Sequence, residues 1–435
     1  MRDFAVSDNP RVQAQLDRLG ALTLPTGRLG LEVIHALLAR LGDPHKDLPP
    51  VFHVAGTNGK GSTCAYLRAM LEAEGYTVHA ATKPHLVRYN ERVRIAGKLV
   101  SDAELAALLA EVLDAGEDLV PSFFEVTAAA TFLAFHREPA DACVIEVGLG
   151  GRFDATNVLD GQAACGIASL GIDHEAFLLV PEVGVPQEPL CRIAFEKAGI
   201  ARPGVPLVTQ AYRPAMTRTI IEHAMVVGAK TALRDLDWFA EVGGGIAYRD
   251  RHGSLDLPLP ALAGTHQADN AALAVAMLRH QSQIKVAPKA MAQGIRAARW
   301  PARLQLLGEG PLTALVPGRK VWLDGGHNAD AGLAIARFFG DHAPLHLITG
   351  MLTSKDPAAI VAPLRGMLHS LSVVPAPGHE AHRPEAFAPH SDLPVRSFAD
   401  VPAALAALPA GGDVLIAGSL YLAGEVLRLN RELPD

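Results

Sequence analysis

The sequence predicts an α/β protein in two parts, a parallel-sheet domain over residues 1–300 and a smaller doubly wound, Rossmann-like domain over 301–435. Three observations carry this. Short apolar runs alternate with longer helical stretches, the mark of parallel α/β architecture. A glycine-rich segment, Gly56-Thr57-Asn58-Gly59-Lys60-Gly61-Ser62, stands between a strand pattern and a helix pattern. Fresh alternation then begins after Arg-Trp-Pro-Ala-Arg at 299–303, which interrupts an alanine-rich helix.

Val51–Val54 is a short strand. From Ser62 to Glu74 the apolar positions Ala65, Leu67, Met70 and Leu71 recur at helical spacing, and Gly75 closes the helix. Thr77–Ala81 is the next strand, and Ser101–Leu113 a helix opened by an N-cap serine with Glu104 three residues on. Phe124–His136 is a buried helix and Ala142–Val147, a β-branched run, a central strand. Leu178–Pro189 is proline-rich and predicted as a loop. Beyond residue 300, strands fall at Val321–Leu323, Leu345–Thr349 and Val414–Ala417, with a helix over Ala329–Phe339.

A length of 435 residues exceeds one ordinary core and suits two domains. The net charge of −7 argues against a nucleic-acid partner, which calls for a basic surface. It leaves room for small anions, which local cations and backbone amides can hold. Cys64, Cys143, Cys165 and Cys191 lack C-x-x-C spacing and read as free thiols of a reducing compartment. The N-terminus is polar with no apolar signal region, and no run of 18 apolar residues occurs. A cytoplasmic protein, monomeric and without a membrane partner, is expected.

The 56–62 segment makes the first domain P-loop ATPase-like. Its glycines let backbone amides turn toward an anion, and the helix N-terminus adds a favourable dipole. Lys60 supplies a point charge for β/γ-phosphates and Ser62 a hydroxyl near a metal. The strict G-x-x-x-x-G-K-[ST] pattern fails, because Gly61 separates Lys60 from Ser62. Glu146 ends a buried strand, where a carboxylate is costly without a cation; it is a ligand for hard Mg²⁺, or a structural carboxylate satisfied by amides. Gly148-Leu149-Gly150-Gly151 lacks the third glycine of a dinucleotide fingerprint, since Phe153 stands there, so an NAD site is rejected.

Gly-Thr-Asn-Gly-Lys-Gly-Ser resembles the phosphate loop of the Mur-ligase-like superfamily in its folylpolyglutamate synthase/dihydrofolate synthase branch. Further segments extend the resemblance across nearly the whole chain: KPHLVRYNERVRIAG (83–97), FFEVTAAATFLAF (123–135), VIEVGLGGRFDATN (144–157), GIDHEAF (171–177), IAFEKAGI (193–200), HQADNAALA (266–274), WPARLQ (300–305), LDGGHNADA (323–331) and GMLTSKD (350–356). The resemblance implies an ATP- and Mg²⁺-dependent ligase that joins L-glutamate to dihydropteroate or to folyl-glutamates through an acyl phosphate. Rival readings are another Mur-type amide ligase, a P-loop ATPase without ligation, or a degenerate binding paralogue.

The resemblance also implies roles residue by residue. Gly56, Thr57, Asn58, Gly59, Lys60, Gly61, Ser62, Asn270, Arg303, Asp324 and His327 would hold ATP. Glu146, His174, Ser62 and Lys197, carbamylated by CO₂, would hold two Mg²⁺ ions. Lys60, Lys197 and His174 form the catalytic set, and Phe124, Glu125, Arg152 and Asp154 the acceptor side. Carbamylation needs a neutral amine, so the protein around Lys197 must disfavour its ammonium. Two departures stand out. The family reads T-S-P-H-L where this chain has Thr82-Lys83-Pro84-His85-Leu86, and an ammonium has no lone pair for a metal. Lys83 then puts its own charge on the phosphates, or Thr82 or a water replaces the missing oxygen, or the first metal site is weakened, or Lys83 turns to solvent. Leu178–Pro189 is longer than the family's turn and is expected to be a mobile loop over the site.

Overall fold

The computed structural model describes residues 6–22, 30–340 and 344–435. It divides into two compact units, one of residues 1–261 and 267–298, the other of 262–266 and 299–435. The expected α/β architecture is found.

In the first unit the strands are β1 (Val51–Ala55), β2 (Val78–Ala81), β3 (Val93–Ile95), β4 (Lys98–Leu99), β5 (Ala142–Glu146), β6 (Ala164–Ile167), β7 (Pro206–Thr209) and β8 (Lys230–Leu233). They form one sheet in the order β4-β3-β2-β5-β1-β6-β7-β8. β1 pairs in parallel with β5 and β6, with His53 opposite Ile145 and Cys165. Every residue of β1 and β5 is buried, as strands covered on both faces require. Because the central strands are parallel, the loops after β1, β5 and β6 leave the same edge, where ligands of such sheets bind.

The helices follow the sequence pattern with shifted ends. The first runs Lys60–Glu74, two residues earlier than its apolar periodicity, and ends at left-handed Gly75. Ser101 caps Asp102–Gly116 by accepting from the Glu104 amide, and Ser122 and Glu125 form a full capping box on Phe123–Arg137. The sequence reading left several elements out, among them the helices Pro10–Ala21 and Glu32–Arg40 and a whole second sheet of this unit. β9 (Trp238–Val242), β10 (Ile246–Asp250) and β11 (Gly253–Leu257) make a separate antiparallel sheet. Trp238 stacks on Tyr248 beneath it, and Arg279 ties Asp250 to the helix His266–His280.

The second unit holds β12 (Gln305–Leu306), β13 (Val321–Leu323), β14 (Leu345–Thr349), β15 (Leu368–Val373), β16 (Val395–Ser397) and β17 (Asp413–Ala417). Their order is β12-β13-β17-β14-β15-β16, parallel except for β12. Leu347, Leu371 and Leu415 centre its core. No helix among the described residues is long and apolar enough to cross a membrane.

Candidate active site

The phosphate loop leaves β1 and enters the helix Lys60–Glu74, so the amides at 60–62 have no partner within the helix. Gly59 adopts φ +83°, and a Cβ there would lie 2.4 Å from Asn270 Oδ1. Only glycine therefore allows the loop to press on the helix His266–His280. Asn270 is buried and donates to Gln267 Oε1 at 3.3 Å, inside that helix rather than at its cap. Lys60 Nζ folds back over the loop, donating to the carbonyls of Gly56 (3.0 Å) and Thr57 (3.1 Å). Ser62 is buried in the first turn of that helix.

The segment after β6 is sewn to this loop. Thr57 N donates to Ser169 O at 2.7 Å, Thr57 Oγ1 donates to Gly171 O at 2.8 Å, and Ser169 Oγ donates to Asn58 O at 3.2 Å. Three residues past Gly171 stands His174, in the left-handed region at φ +55°.

The loop after β5 closes the third side. Glu146 is buried, and one carboxylate oxygen accepts the Lys83 amide at 3.0 Å. Asp154 folds under the loop, where Oδ2 accepts from Gly148 N (2.9 Å) and Leu149 N (2.8 Å). A Cβ on Gly148 would meet that Oδ2 at 3.1 Å and Lys83 Nζ at 3.5 Å. The lysine thus points inward beside Asp154, not to solvent. Burial pushes the Asp154 carboxyl up, but the Lys83 charge and the bonds from Thr156 and Leu149 outweigh it and hold its pKa below the ordinary value. Gly151 packs on the backbone of Glu196 and Lys197, where a Cβ would fall 2.7 Å from Glu196 O.

Lys197 is buried, and its amine donates to Gly150 O at 3.3 Å. Burial, then the Lys60 charge, lowers its pKa to about 7 against the pull of Asp173, Asp154 and Glu196. A fraction of the amine is then neutral near pH 7, the condition for attack on CO₂. Among the described residues, no group of three His, Cys, Asp or Glu is gathered into a ready metal cluster. The donors that fit a hard divalent cation are oxygens: the Glu146 carboxylate, the Ser62 hydroxyl and the carbamate Lys197 could carry. Thr82 Oγ1 donates to Glu91 O at 3.3 Å, which leaves its lone pairs as the only metal-binding capacity it has.

Arg152 lies across this loop but is engaged. It meets Glu182 at 2.5 Å and Glu196 at 2.8 Å, and Arg192 meets the same two carboxylates at 3.1 and 3.0 Å. Sequence reading missed Glu182 and Arg192, and no local pattern signals them. Glu125 is likewise committed, accepting the Ser122 amide and hydroxyl at 2.7 Å each. The Ser-x-x-Glu spacing at 122–125 was the readable sign of that cap. Phe124 is half-buried, edge-on to Phe123 at 5.4 Å in a patch that includes Tyr89.

In the second unit Asp324 is buried and pins its own loop, accepting from Leu304 N (2.8 Å) and Gly326 N (2.6 Å). Arg303 sits between Ala302 (φ +54°) and Leu304 (φ +45°), two non-glycine residues in the left-handed region. Such strain collects at functional positions. His327 Nδ1 lies 3.0 Å from Gly325 O.

A P-loop on a parallel sheet, with a second Rossmann-like unit, is the architecture of Mur-type ATP-dependent amide ligases. The chain is 34% identical to the dihydrofolate synthase/folylpolyglutamate synthase of Escherichia coli (strain K12), over 92% of this chain and 91% of that protein. It therefore belongs to the dihydrofolate synthase/folylpolyglutamate synthase family. The Bacillus subtilis (strain 168) protein of the same name is 36% identical over 69% of this chain and 70% of its own. Among solved structures, E. coli FolC in complex with DHPP and ADP superposes with TM-score 0.83 at 33% identity, covering 97% of each chain. The Yersinia pestis bifunctional enzyme complexed with AMPPNP and Mn ion gives 0.82 at 31% identity, over 96% of this chain and 97% of that one. A scan against protein-family models matches none.

Proposed function

We propose that this chain uses ATP to join L-glutamate to dihydropteroate, to folyl-glutamates, or to both. The observation that carries this reading is the convergence of the phosphate loop, Glu146 and the lowered-pKa Lys197 at one sheet edge, in a chain of this family. Residues 1–300 bind ATP and residues 301–435 form the glutamate-ligase domain. The four cysteines, all free and buried, suit a cytoplasmic setting.

A carboxylate is a poor acyl donor because its oxygen is a poor leaving group. An acceptor carboxylate oxygen attacks the γ-phosphorus of ATP, ADP departs, and an acyl phosphate results. The glutamate amine attacks the acyl carbon, the C–O bond to phosphate breaks, and the amine proton is lost to give the amide. Lys60, released from its own loop carbonyls, neutralises charge on the transferring phosphoryl group. The loop amides at 56–62 and Asn270 orient the phosphates; Arg303, Asp324 and His327 are the ATP contacts of the second domain. Divalent cations, Mg²⁺ in the cell, supply charge neutralisation and would be held by Glu146 and Ser62, and by His174 with carbamylated Lys197. Phe124 and Asp154 serve the acceptor side, and Arg152 joins them only if Glu182 releases it; Glu125 acts there as the cap that fixes the helix bearing Phe124.

The test is ATP turnover over a panel of acceptors with and without glutamate, with amide product measured. Turnover is expected only with a pteroate-type acceptor, glutamate and Mg²⁺ together. Equal phosphate release without acceptor would make the chain a simple ATPase and sink the reading.

A further inference from the structure

His53 lies in the middle of β1, three residues before the phosphate loop begins, and its side chain is fully buried. Its Nε2 is 2.8 Å from Thr156 Oγ1. The Thr156 hydroxyl and amide both donate to Asp154 Oδ1, the amide at 3.0 Å. An ionised carboxylate only accepts, so the single threonine proton is committed to Asp154. The imidazole must then donate, which fixes it as the Nε2–H tautomer with a bare Nδ1. That nitrogen is buried without a hydrogen-bond partner. Burial also drives the ring's pKa down to about 3, against the pull of Asp154, so it stays neutral. The donors run one way, from His53 to Thr156 to Asp154, and on the far carboxylate oxygen Asp154 collects the amides of Gly148 and Leu149.

An apolar side chain would suit a strand interior without leaving a bare nitrogen in the core. The orphaned Nδ1 is accounted for by what the opposite nitrogen does. We propose that His53 is a positioning residue for the acceptor side of the reaction, acting through Thr156 to hold Asp154 and the 148–151 loop in place. The strand that delivers the phosphate loop thereby also sets the loop that carries the Gly150 carbonyl to Lys197. Through Asp154 it also holds the carboxylate that flanks the Lys83 ammonium. This rests on the reading above that Asp154 serves the acceptor.

The experiment compares His53→Leu, His53→Gln, Thr156→Val and Asp154→Asn, with KM for dihydropteroate and for ATP measured separately from kcat. His53→Leu is expected to raise the acceptor KM about tenfold and the ATP KM less than about twofold. His53→Gln restores an N–H donor at the same reach and is expected to recover most of the loss. His53→Leu added to Thr156→Val should cost little more than Thr156→Val alone, since both cut one chain. If His53→Leu does not fold, Thr156→Val tests the same relay from the loop side. Loss of stability with both KM values unchanged, or failure of His53→Gln to rescue, overturns the proposal. If Asp154→Asn shifts the acceptor KM while His53→Leu and Thr156→Val do not, the relay falls and the acceptor role of Asp154 stands. If Asp154→Asn also has no effect, that role falls with it.

Discussion

The phosphate loop and the Arg152–Glu182–Arg192–Glu196 cluster lie on the same unit but are built by opposite means. The first is backbone: Gly59 at φ +83°, amides at a helix start, and Lys60 resting on carbonyls of its own loop. The second is side chain: two guanidiniums against two carboxylates, with Arg152 and Glu182 thirty residues apart. A backbone site is written in a short stretch of sequence, because glycine and helix position fix where its N–H groups point. A side-chain cluster depends on which distant residues the fold brings together. The first is specific in sequence; the second is silent in it.

The sharpest way to break this contrast is Lys60→Ala. Its partners in the free protein are two loop carbonyls that water can satisfy, so stability should change by no more than about 0.5 kcal/mol. Its charge toward phosphate has no substitute, so kcat/KM should fall about 10²–10³-fold or more. A folded variant with near-normal kcat/KM would show that the loop is a turn and nothing else.

Lys197→Met separates function from stability. The folded amine titrates near 7, the unfolded one near about 10.4. At and below pH 7 the unfolded chain holds a charge that burial penalises in the fold, so the native lysine destabilises most there. The penalty declines as pH rises from 7 and is gone above the unfolded pKa. The methionine variant, lacking the carbamate oxygens, should be inactive yet more stable at pH 7, on the order of a few kcal/mol without CO₂. That gap should close toward pH 10. Urea midpoints across this range measure it, and a gap independent of pH would mean the amine is not the strained group.

These outcomes bear on what the sequence disclosed. The sheet was legible because Val51–Ala55 and Ala142–Glu146 are short, mostly apolar runs, broken only by His53 and closed by Glu146, and the phosphate loop because three glycines and a lysine crowd into seven residues between a strand and a helix. The β9–β11 sheet was missed although Trp-Phe-Ala-Glu-Val and Ile-Ala-Tyr-Arg-Asp alternate around a glycine turn, since expectation of a parallel fold masked a period of two. Asp324 was read as a nucleotide contact; what the structure shows of its carboxylate is that it fixes the turn that bears Arg303, a local role invisible until Leu304 N is placed beside it. Glu182 could not have been found, because nothing near it in sequence names its partners.

Lys83→Ser sharpens the contrast from the metal side. The ammonium stands by Gly148 and Asp154, on the loop that follows Glu146, and a positive charge there repels a divalent cation. The serine variant should bind Mn²⁺ in the presence of nucleotide roughly tenfold tighter, read by calorimetry or electron paramagnetic resonance. The Mg²⁺ requirement for ligation should fall in step. Unchanged Mn²⁺ affinity would place Lys83 outside the metal's reach.

The smallest effect is expected at Glu182. Its side chain is about one-fifth exposed, and it shares Arg152 and Arg192 with Glu196, which is almost wholly buried. Glu182→Gln leaves two guanidiniums facing one carboxylate, and the new amide nitrogen opposes donors it cannot satisfy. Because water reaches the pair and Glu196 remains, the global cost should be only about 1 kcal/mol. The local effect should be larger. Residues 179–188 carry little buried apolar surface, with Val180 and Val183 exposed, so the ion cluster is what holds them. Amide hydrogen exchange should therefore quicken in that loop, while β1 and β5 keep full protection. Arg152, freed from one partner, would become available to an anionic acceptor, and the acceptor KM should fall modestly. If exchange in the loop does not change, its anchor is instead Leu178, which packs on the turn at Gly150, and Leu178→Ala should then release it where Glu182→Gln did not.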